Sequence, residues 1–253
     1  MLRKIEEVLR RGGDILLNAE NIRTEEKSGR ADLVTQFDKE IQSFLEAELL
    51  KICPEAGFLG EEDEHLHLEN DLIFIVDPID GTTNFTRDFR HSCISVALEK
   101  SGETHWGAVY NPYLDEMFSA EKDKGAFLNG KPISASNNDL DHAIVLFGSA
   151  PYNHELASKS FAAAQALFER GLDVRRTASA ALDLCYIAAG RADVYFEYII
   201  SPWDHAAGHL IAREAGAIVT QFDGSNVSNR EKCPIMAANA LCYDEAREII
   251  LKI

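Results

Sequence analysis

The sequence predicts a mixed fold in which an α+β unit, residues 1–140, runs directly into an α/β unit, residues 141–253. Three observations predict it. Two helical stripes open the chain, a series of short apolar runs divided by turn dipeptides follows, and beyond about residue 140 strand-like and helix-like stretches alternate. No Ser/Gly linker, repeat or low-complexity tract separates the halves, so a cleft is expected at their junction.

Residues 1–20 place Leu2, Ile5, Val8, Leu9, Leu16 and Leu17 near helical spacing, with Gly12-Gly13 expected to weaken the middle. From Thr35 to Cys53, Phe37, Ile41, Phe44, Leu45, Leu49 and Ile52 form a second stripe that Pro54 stops. The acidic loop GEEDEHLHLEND leads into Leu72 to Val76, a short run typical of a buried strand. CISVALEK, THWGAVYNP, EMFSAE and AFLN, punctuated by Ser101-Gly102 and Asn129-Gly130, predict an antiparallel meander over residues 93–131. VLFGSA, a helix from Glu155 to Arg170, LDVRR, a helix near Ala180 to Ala189, ADVYFEYII, a helix from Trp203 to Ala215 and AIVTQF complete the alternation.

Composition narrows the function classes. At 253 residues and 46% hydrophobic content the chain can fill a sizeable core. MLRKIEEVLRRGG has charges every two or three positions and neither a signal-peptide core nor a membrane span, so a cytoplasmic location is expected. Cys53, Cys93, Cys185, Cys233 and Cys242 are odd in number and never spaced as CxxC, which reads as reduced thiols. A net charge of −17 repels nucleic acid and anionic membranes, and neither is an expected partner.

The most informative segment is Asp77-Pro78-Ile79-Asp80-Gly81-Thr82-Thr83-Asn84, directly after the buried strand. Pro78 fixes one dihedral and Gly81 permits an unusual one, so a sharp turn can direct both carboxylates and the Ile79 carbonyl inward, as oxygen ligands for a hard cation. The amides of Gly81 and Thr82 can then meet phosphate oxygens. The bland alternative is a polar turn. Further acids are Glu61 and Glu62 after Gly60, Asp204 at a helix start, where it also complements the helix dipole, and Asp38, which matches a capping box with Thr35.

In order, DLVTQFD (Asp32 to Asp38), GEE (Gly60 to Glu62), DPIDGTTNF (Asp77 to Phe85) and PWDHAAG (Pro202 to Gly208) make nearly the whole chain resemble the inositol monophosphatase family. The resemblance implies a five-layer αβαβα sandwich of the sugar-phosphatase type, a homodimer, and a Mg²⁺-dependent, Li⁺-sensitive hydrolysis of inositol monophosphate or a similar small polyol or sugar phosphate. It implies two to three Mg²⁺ per site. Glu61, Asp77, the Ile79 carbonyl and Thr82 surround one ion, Asp77, Asp80 and Asp204 a second, and Glu61 contributes to a third. Asp38, Glu61 and Thr82 form the catalytic set, Thr82 orienting the attacking water while Asp38 holds its hydroxyl. Asp80, Gly81, Thr82, Ser179, Ala180, Glu197 and Asp204 contact the substrate. Bound cations also explain how so acidic a chain handles a phosphate ester.

Several positions depart from the family or leave alternatives open. Ala178 stands where the family has Gly and Ser179 where it has Thr. Arg87 and Arg90 follow the motif, either to meet a second phosphate or to pair with nearby acids. Lys27 to Asp32, KSGRAD, reads as a mobile loop beside the metals. His205 with His209, and His65 with His67, read as structural. Rival readings are fructose-1,6-bisphosphatase, histidinol phosphatase, nucleotide 3′,5′-bisphosphate phosphatase, a regulatory binding protein that keeps the fold, and a calcium module, which the lack of an EF-hand loop disfavours. No DxDxT, GxSxG or GxxxxGK[ST] pattern occurs.

Overall fold

Helix α1 (Leu2–Leu17) and helix α2 (Gln36–Ile52) lie together on one face of a large sheet in a computed structural model that describes residues 2–62, 65–151 and 153–253, without the side chains of Ser28, His65 and Leu66. The expectation for His65 therefore falls outside the described residues. Thr35 caps α2, its Oγ1 accepting from the amides of Phe37 (3.1 Å) and Asp38 (3.4 Å), while Asp38 answers with its carboxylate. α1 runs unbroken through Gly12-Gly13. A Cβ on Gly12 would stand 2.9 Å from Ile94 Cδ1, and one on Gly13 2.5 Å from Tyr110 Cε1. The two glycines cost helix propensity, about 1 kcal/mol each relative to Ala, but they let the helix lie close to the sheet.

Residues 24–35 form no open loop but a hairpin, β1 (Thr24–Gly29) with β2 (Asp32–Thr35). The large sheet holds β3 (Gly57–Gly60), β4 (His65–Leu66), β5 (Leu72–Asp80), β6 (Cys93–Lys100), β7 (Glu103–Asn111), β8 (Glu116–Glu121), β9 (Ala126–Leu128) and β10 (Lys131–Ile133), in the order β10-β9-β8-β7-β6-β5-β3-β4. From β5 to β10 neighbours pair antiparallel, the expected meander, whereas β3 lies parallel to β5. The short helix α3 (Thr82–Thr86) leaves the end of β5.

The second sheet is built from β11 (Ile144–Phe147), β12 (Asp173–Arg175), β13 (Val194–Ile200), β14 (Ile218–Thr220) and β15 (Cys233–Ala238), in the order β12-β11-β13-β15-β14. Between these strands run α4 (Ala157–Phe168), α5 (Ala180–Ala188) and α6 (Pro202–Glu214), with α7 (Tyr243–Leu251) last. β11 is parallel to β12 and β13, and β15 is antiparallel to its neighbours.

Three apolar clusters join the layers. Ile5, Leu9, Ile41 and Leu45 of α1 and α2 meet Phe58, Phe74, Val76 and Ile94 on the outer face of the large sheet. Leu184, Ala207 and Ile211 of α5 and α6 fill the space between Ile73, Ile75 and Val109 on one side and Tyr195 and Ile235 on the other. Ala163, Leu167, Ala246 and Ile250 of α4 and α7 cover Val145, Phe196 and Met236. The order is thus helix, sheet, helix, sheet, helix, a five-layer sandwich. β5 sends Ile73 and Ile75 to one layer and Phe74 and Val76 to the other, which is why its sequence is a continuous apolar run. α6 lies so close to β7 that a Cβ on Gly107 would be 2.9 Å from Ala207 Cα.

All five cysteines are free and buried, and no described helix is long and apolar enough to cross a membrane. His67 is exposed with Nδ1 3.3 Å from Glu69 Oε1. His205 and His209 are buried on α6, their ring centroids 5.7 Å apart, and neither ring nitrogen of His205 nor Nδ1 of His209 has a hydrogen-bond partner. Burial pushes His205 down to about 4 and His209 to about 3. The unfolded chain, whose histidines titrate near pH 6.5, therefore binds protons first, and stability falls as pH drops from about 6.5 toward 4, by about 1.4 kcal/mol per pH unit for each histidine. His209→Leu fills similar space without a titrating group. The difference between the urea midpoints of the native protein and this variant should widen steadily on acidification across that window; parallel pH profiles would refute the assignment.

Candidate active site

The site begins where β5 stops pairing regularly. Asp77 opposes Ser95 and Asp80 opposes Cys93, with a register shift between them at Pro78, which has no amide hydrogen to donate. Asp77 Oδ1 accepts the Ile79 amide at 2.9 Å, which sets the turn. Gly81 follows at φ +92°, where a Cβ would also be 3.0 Å from the carbonyl oxygens of Ala178 and His91. Only glycine fits there.

Asp204 reaches the same place from the middle layer. It lies three residues beyond Ser201, whose amide donates to its Oδ2 at 3.0 Å, so it is a helix cap and a member of the cluster at once. Oxygens of Asp77, Asp80 and Asp204 lie within 4.8 Å of one another. Burial, then the charge of Glu61 and Asp80, holds Asp77 and Asp204 well above the ordinary carboxylate range. Asp80 is also raised by burial, against four donors: Ser179 Oγ (2.6 Å), the amides of Ala181 (2.8 Å) and Ala180 (3.3 Å), and Cys93 Sγ (3.6 Å). Three mutually repelling carboxylates, Asp77 and Asp80 buried and Asp204 half-buried, form an oxygen donor set that fits a hard divalent cation.

Glu61 follows β3 and stands beside this trio, its Oε1 3.2 Å from Lys27 Nζ; the same ammonium pairs with Glu62. Burial pushes the Glu61 carboxyl up to about 7 against the pull of Lys27. Thus β1 brings a cation onto the acids rather than hanging free. Asp38 is buried at the start of α2. Its Oδ2 accepts from Thr35 N (2.7 Å) and Thr35 Oγ1 (2.5 Å), and its Oδ1 from Thr82 Oγ1 (3.2 Å), which also lies 3.1 Å from the Ile79 carbonyl.

On the opposite wall Glu197 of β13 is fixed by the Ala150 amide (3.1 Å) and the Tyr195 hydroxyl (2.8 Å), and burial pushes it up to about 6. Gly148 makes room for it: a Cβ there would be 2.0 Å from Glu197 Cδ. Asn84 Nδ2 donates to the carbonyls of His91 (2.7 Å) and Thr177 (2.8 Å), binding the β5 turn to the loop before α5. Asn84, Gly148 and Asp183 are not among the site residues expected from the sequence. Ala178 in that loop has φ +67°, a conformation that favours glycine. Ala178→Gly should raise the melting temperature by about 2–4 °C, for a gain of about 1 kcal/mol; an unchanged or lower midpoint in a thermal scan would show that the site tolerates Ala without strain.

These residues enclose a cleft of about 380 Å³. Glu61, Asp77, Asp80 and Asp204 line it, as do Ser179 and Glu197, together with Asp183, Arg176 and Lys232, which have no local pattern to mark them. Arg87 and Arg90 are not among its described lining residues, and Arg90 Nε pairs with Asp88 Oδ1 at 3.1 Å.

The model of the inositol monophosphatase family matches residues 2–252. The chain belongs to that family. Among its curated relatives, Nus factor SuhB of Vibrio cholerae is 44% identical over 212 residues, 83% of this chain and 79% of that one. An inositol-1-monophosphatase of Rhizobium meliloti is 37% identical over 219 residues, 86% of this chain and 80% of that one. Of solved structures, extragenic suppressor protein suhB from Bartonella henselae superposes with a TM-score of 0.93 at 33% identity, covering 99% of this chain and 98% of the other. An IMPase/NADP phosphatase complexed with Mg²⁺ and phosphate gives 0.86 at 27% identity, covering 98% and 93%. The inositol monophosphatase family assignment accounts for the order of the layers and for the acids gathered from β5 and α6.

Proposed function

We propose that this family member is a Mg²⁺-dependent phosphomonoesterase acting on inositol monophosphate or a similar small polyol or sugar phosphate. The observation that carries the reading is the approach of Asp77, Asp80 and Asp204 to within 4.8 Å at one end of a cleft whose other wall presents Glu197. Asp77, Asp80 and Asp204 would hold Mg²⁺, with Glu61 and the Ile79 carbonyl beside them, in two to three ion sites. Bound Mg²⁺ supplies neutralising charge for the ester and acidifies water. Thr82 donates its proton to Asp38, which leaves the hydroxyl oxygen to accept from a water and so orient it. Ser179 commits its own proton to Asp80 and can only accept from a substrate hydroxyl, while Glu197, already holding Ala150 and Tyr195, accepts another on its remaining lone pairs.

Phosphate release from myo-inositol 1-phosphate, fructose 1,6-bisphosphate, histidinol phosphate and adenosine 3′,5′-bisphosphate, each with Mg²⁺ and with EDTA, tests this. Metal-dependent, Li⁺-inhibited release is expected, and the preferred compound identifies the branch. No release from any of the four would overturn the reading. A cytoplasmic homodimer is part of it, and light scattering in solution measures the assembly.

A second reading, a regulatory protein acting through its surface, is favoured by the name Nus factor carried by the Vibrio cholerae relative. With a net charge of −17, such a role would run through protein partners rather than nucleic acid. Retention of that role by a variant without hydrolysis would separate the two.

A further inference from the structure

Two cations on the cleft take no part in the chemistry above. Arg176 follows β12 in the loop that leads to Ser179, and Lys232 immediately precedes β15. Both are exposed, and neither has a hydrogen-bond or ion-pair partner among the described residues. Several other cations of this acidic chain are neutralised locally: Arg191 grips Glu116 through its two terminal guanidinium nitrogens (2.9 and 2.5 Å), and Arg170 pairs with Glu245 at 2.7 Å. Arg176 stands near enough to Glu197 and Asp183 for its charge to favour their ionised forms, so it belongs to the wall that faces the carbon skeleton of a substrate. Lys232 reaches the cleft from a different strand, since the next residue, Cys233, pairs with Ile200 just before Ser201 and α6.

The carboxylate cluster fixes where the scissile phosphate goes. A cleft of about 380 Å³ leaves room for a sugar or polyol beyond it, and Arg176 and Lys232 are exposed cations that line the same cleft. A neutral hydroxyl there gains little from two unpaired cations, whereas an anionic group gains charge-assisted contacts from both. We infer that Arg176 and Lys232 form a second anion-binding subsite at the mouth of the cleft, so that the protein favours phosphomonoesters bearing a further phosphate or carboxylate at their far end. This inference rests on the hydrolytic reading above and narrows its substrate class. It also moves the second anion from Arg87 and Arg90, which lie off the cleft, to residues that line it.

The test compares fructose 1,6-bisphosphate with fructose 1-phosphate in the native protein and in Lys232→Met, Arg176→Met, the double variant and Lys232→Arg. The readout is the ratio of the two kcat/KM values, with circular dichroism to verify folding. The native ratio should favour the bisphosphate, fall about tenfold in the double variant, and return in Lys232→Arg. Because the cations are exposed, the native ratio should also shrink between low and physiological salt. A ratio that stays constant across the folded variants overturns the subsite. If neither compound is hydrolysed, the ratio of the two calorimetric dissociation constants decides the subsite by the same tenfold criterion, while phosphate release from the other substrates named above decides the hydrolytic reading separately.

Discussion

Asp77→Asn should reduce phosphate release by on the order of 10² to 10³-fold while leaving the metal-free protein as stable as the native one or more so. The asparagine carbonyl can keep the 2.9 Å bond from the Ile79 amide, so the turn at the end of β5 survives. What disappears is one of three clustered charges that repel each other. Because burial and its neighbours raise the Asp77 and Asp204 pKa values, the folded metal-free protein binds protons more tightly than the unfolded chain. Its stability therefore rises as pH falls through those raised values, and the variant should show a weaker rise. Mg²⁺ at a hundred times its dissociation constant should stabilise the native protein by about 2.7 kcal/mol and the variant far less. Melting curves with and without Mg²⁺, alongside a phosphate assay, measure all of this. Undiminished turnover in the variant would sink the site. Asp77 is a cleaner probe than Asp80, whose four donors would make a substitution there disturb α5 as well.

Asp38→Asn should injure both stability and turnover. One carboxylate now serves the Thr35 amide, the Thr35 hydroxyl and the Thr82 hydroxyl. An amide of the same shape replaces one acceptor oxygen by a donor, so either the Thr35 groups of the capping box or the Thr82 hydroxyl loses its acceptor. The cost is about 2–3 kcal/mol, a fall of about 5–10 °C in melting temperature. Turnover should drop about 10 to 100-fold as the Thr82 hydroxyl loses its orientation. If Asp38 acts through Thr82, adding Thr82→Ala to this variant should cost little further activity; fully additive losses would mean that the two residues act separately.

The sequence exposed those parts of the fold whose signal is local. The α2 stripe begins at Thr35 and ends before Pro54, and the meander is marked by Ser101-Gly102 and Asn129-Gly130, so both could be read from neighbours along the chain. β3 could not: GFLG is four residues long, and it becomes a strand by pairing with β5, which no local pattern records. β15 was hidden by Pro234 near its start, and α7 by a charged face around Tyr243, Ala246 and Ile250. Gly12-Gly13 looked like a weakness because a one-dimensional pattern omits Ile94 and Tyr110 on the other side of the contact. The site divides in the same way. Asp77, Asp80, Gly81 and Thr82 are adjacent in one motif, but Gly148, Arg176, Asp183 and Lys232 arrive from separate loops and elements, and only the folded chain assembles them around the cleft.

The four donors on Asp80 have a consequence for how ligands communicate. Asp80, a member of the carboxylate cluster, also holds Ser179 and the first amides of α5, so under the proposed function cation and polyol would draw on a shared group. A cation that pulls Asp80 toward itself changes the hydrogen bonding left to Ser179, and a hydroxyl bound at Ser179 changes the electron density that Asp80 offers the cation. Thermodynamic reciprocity makes any such influence equal in both directions. On that reading the two ligands would be partners in one equilibrium, and the affinity measured for either one would depend on how much of the other is present.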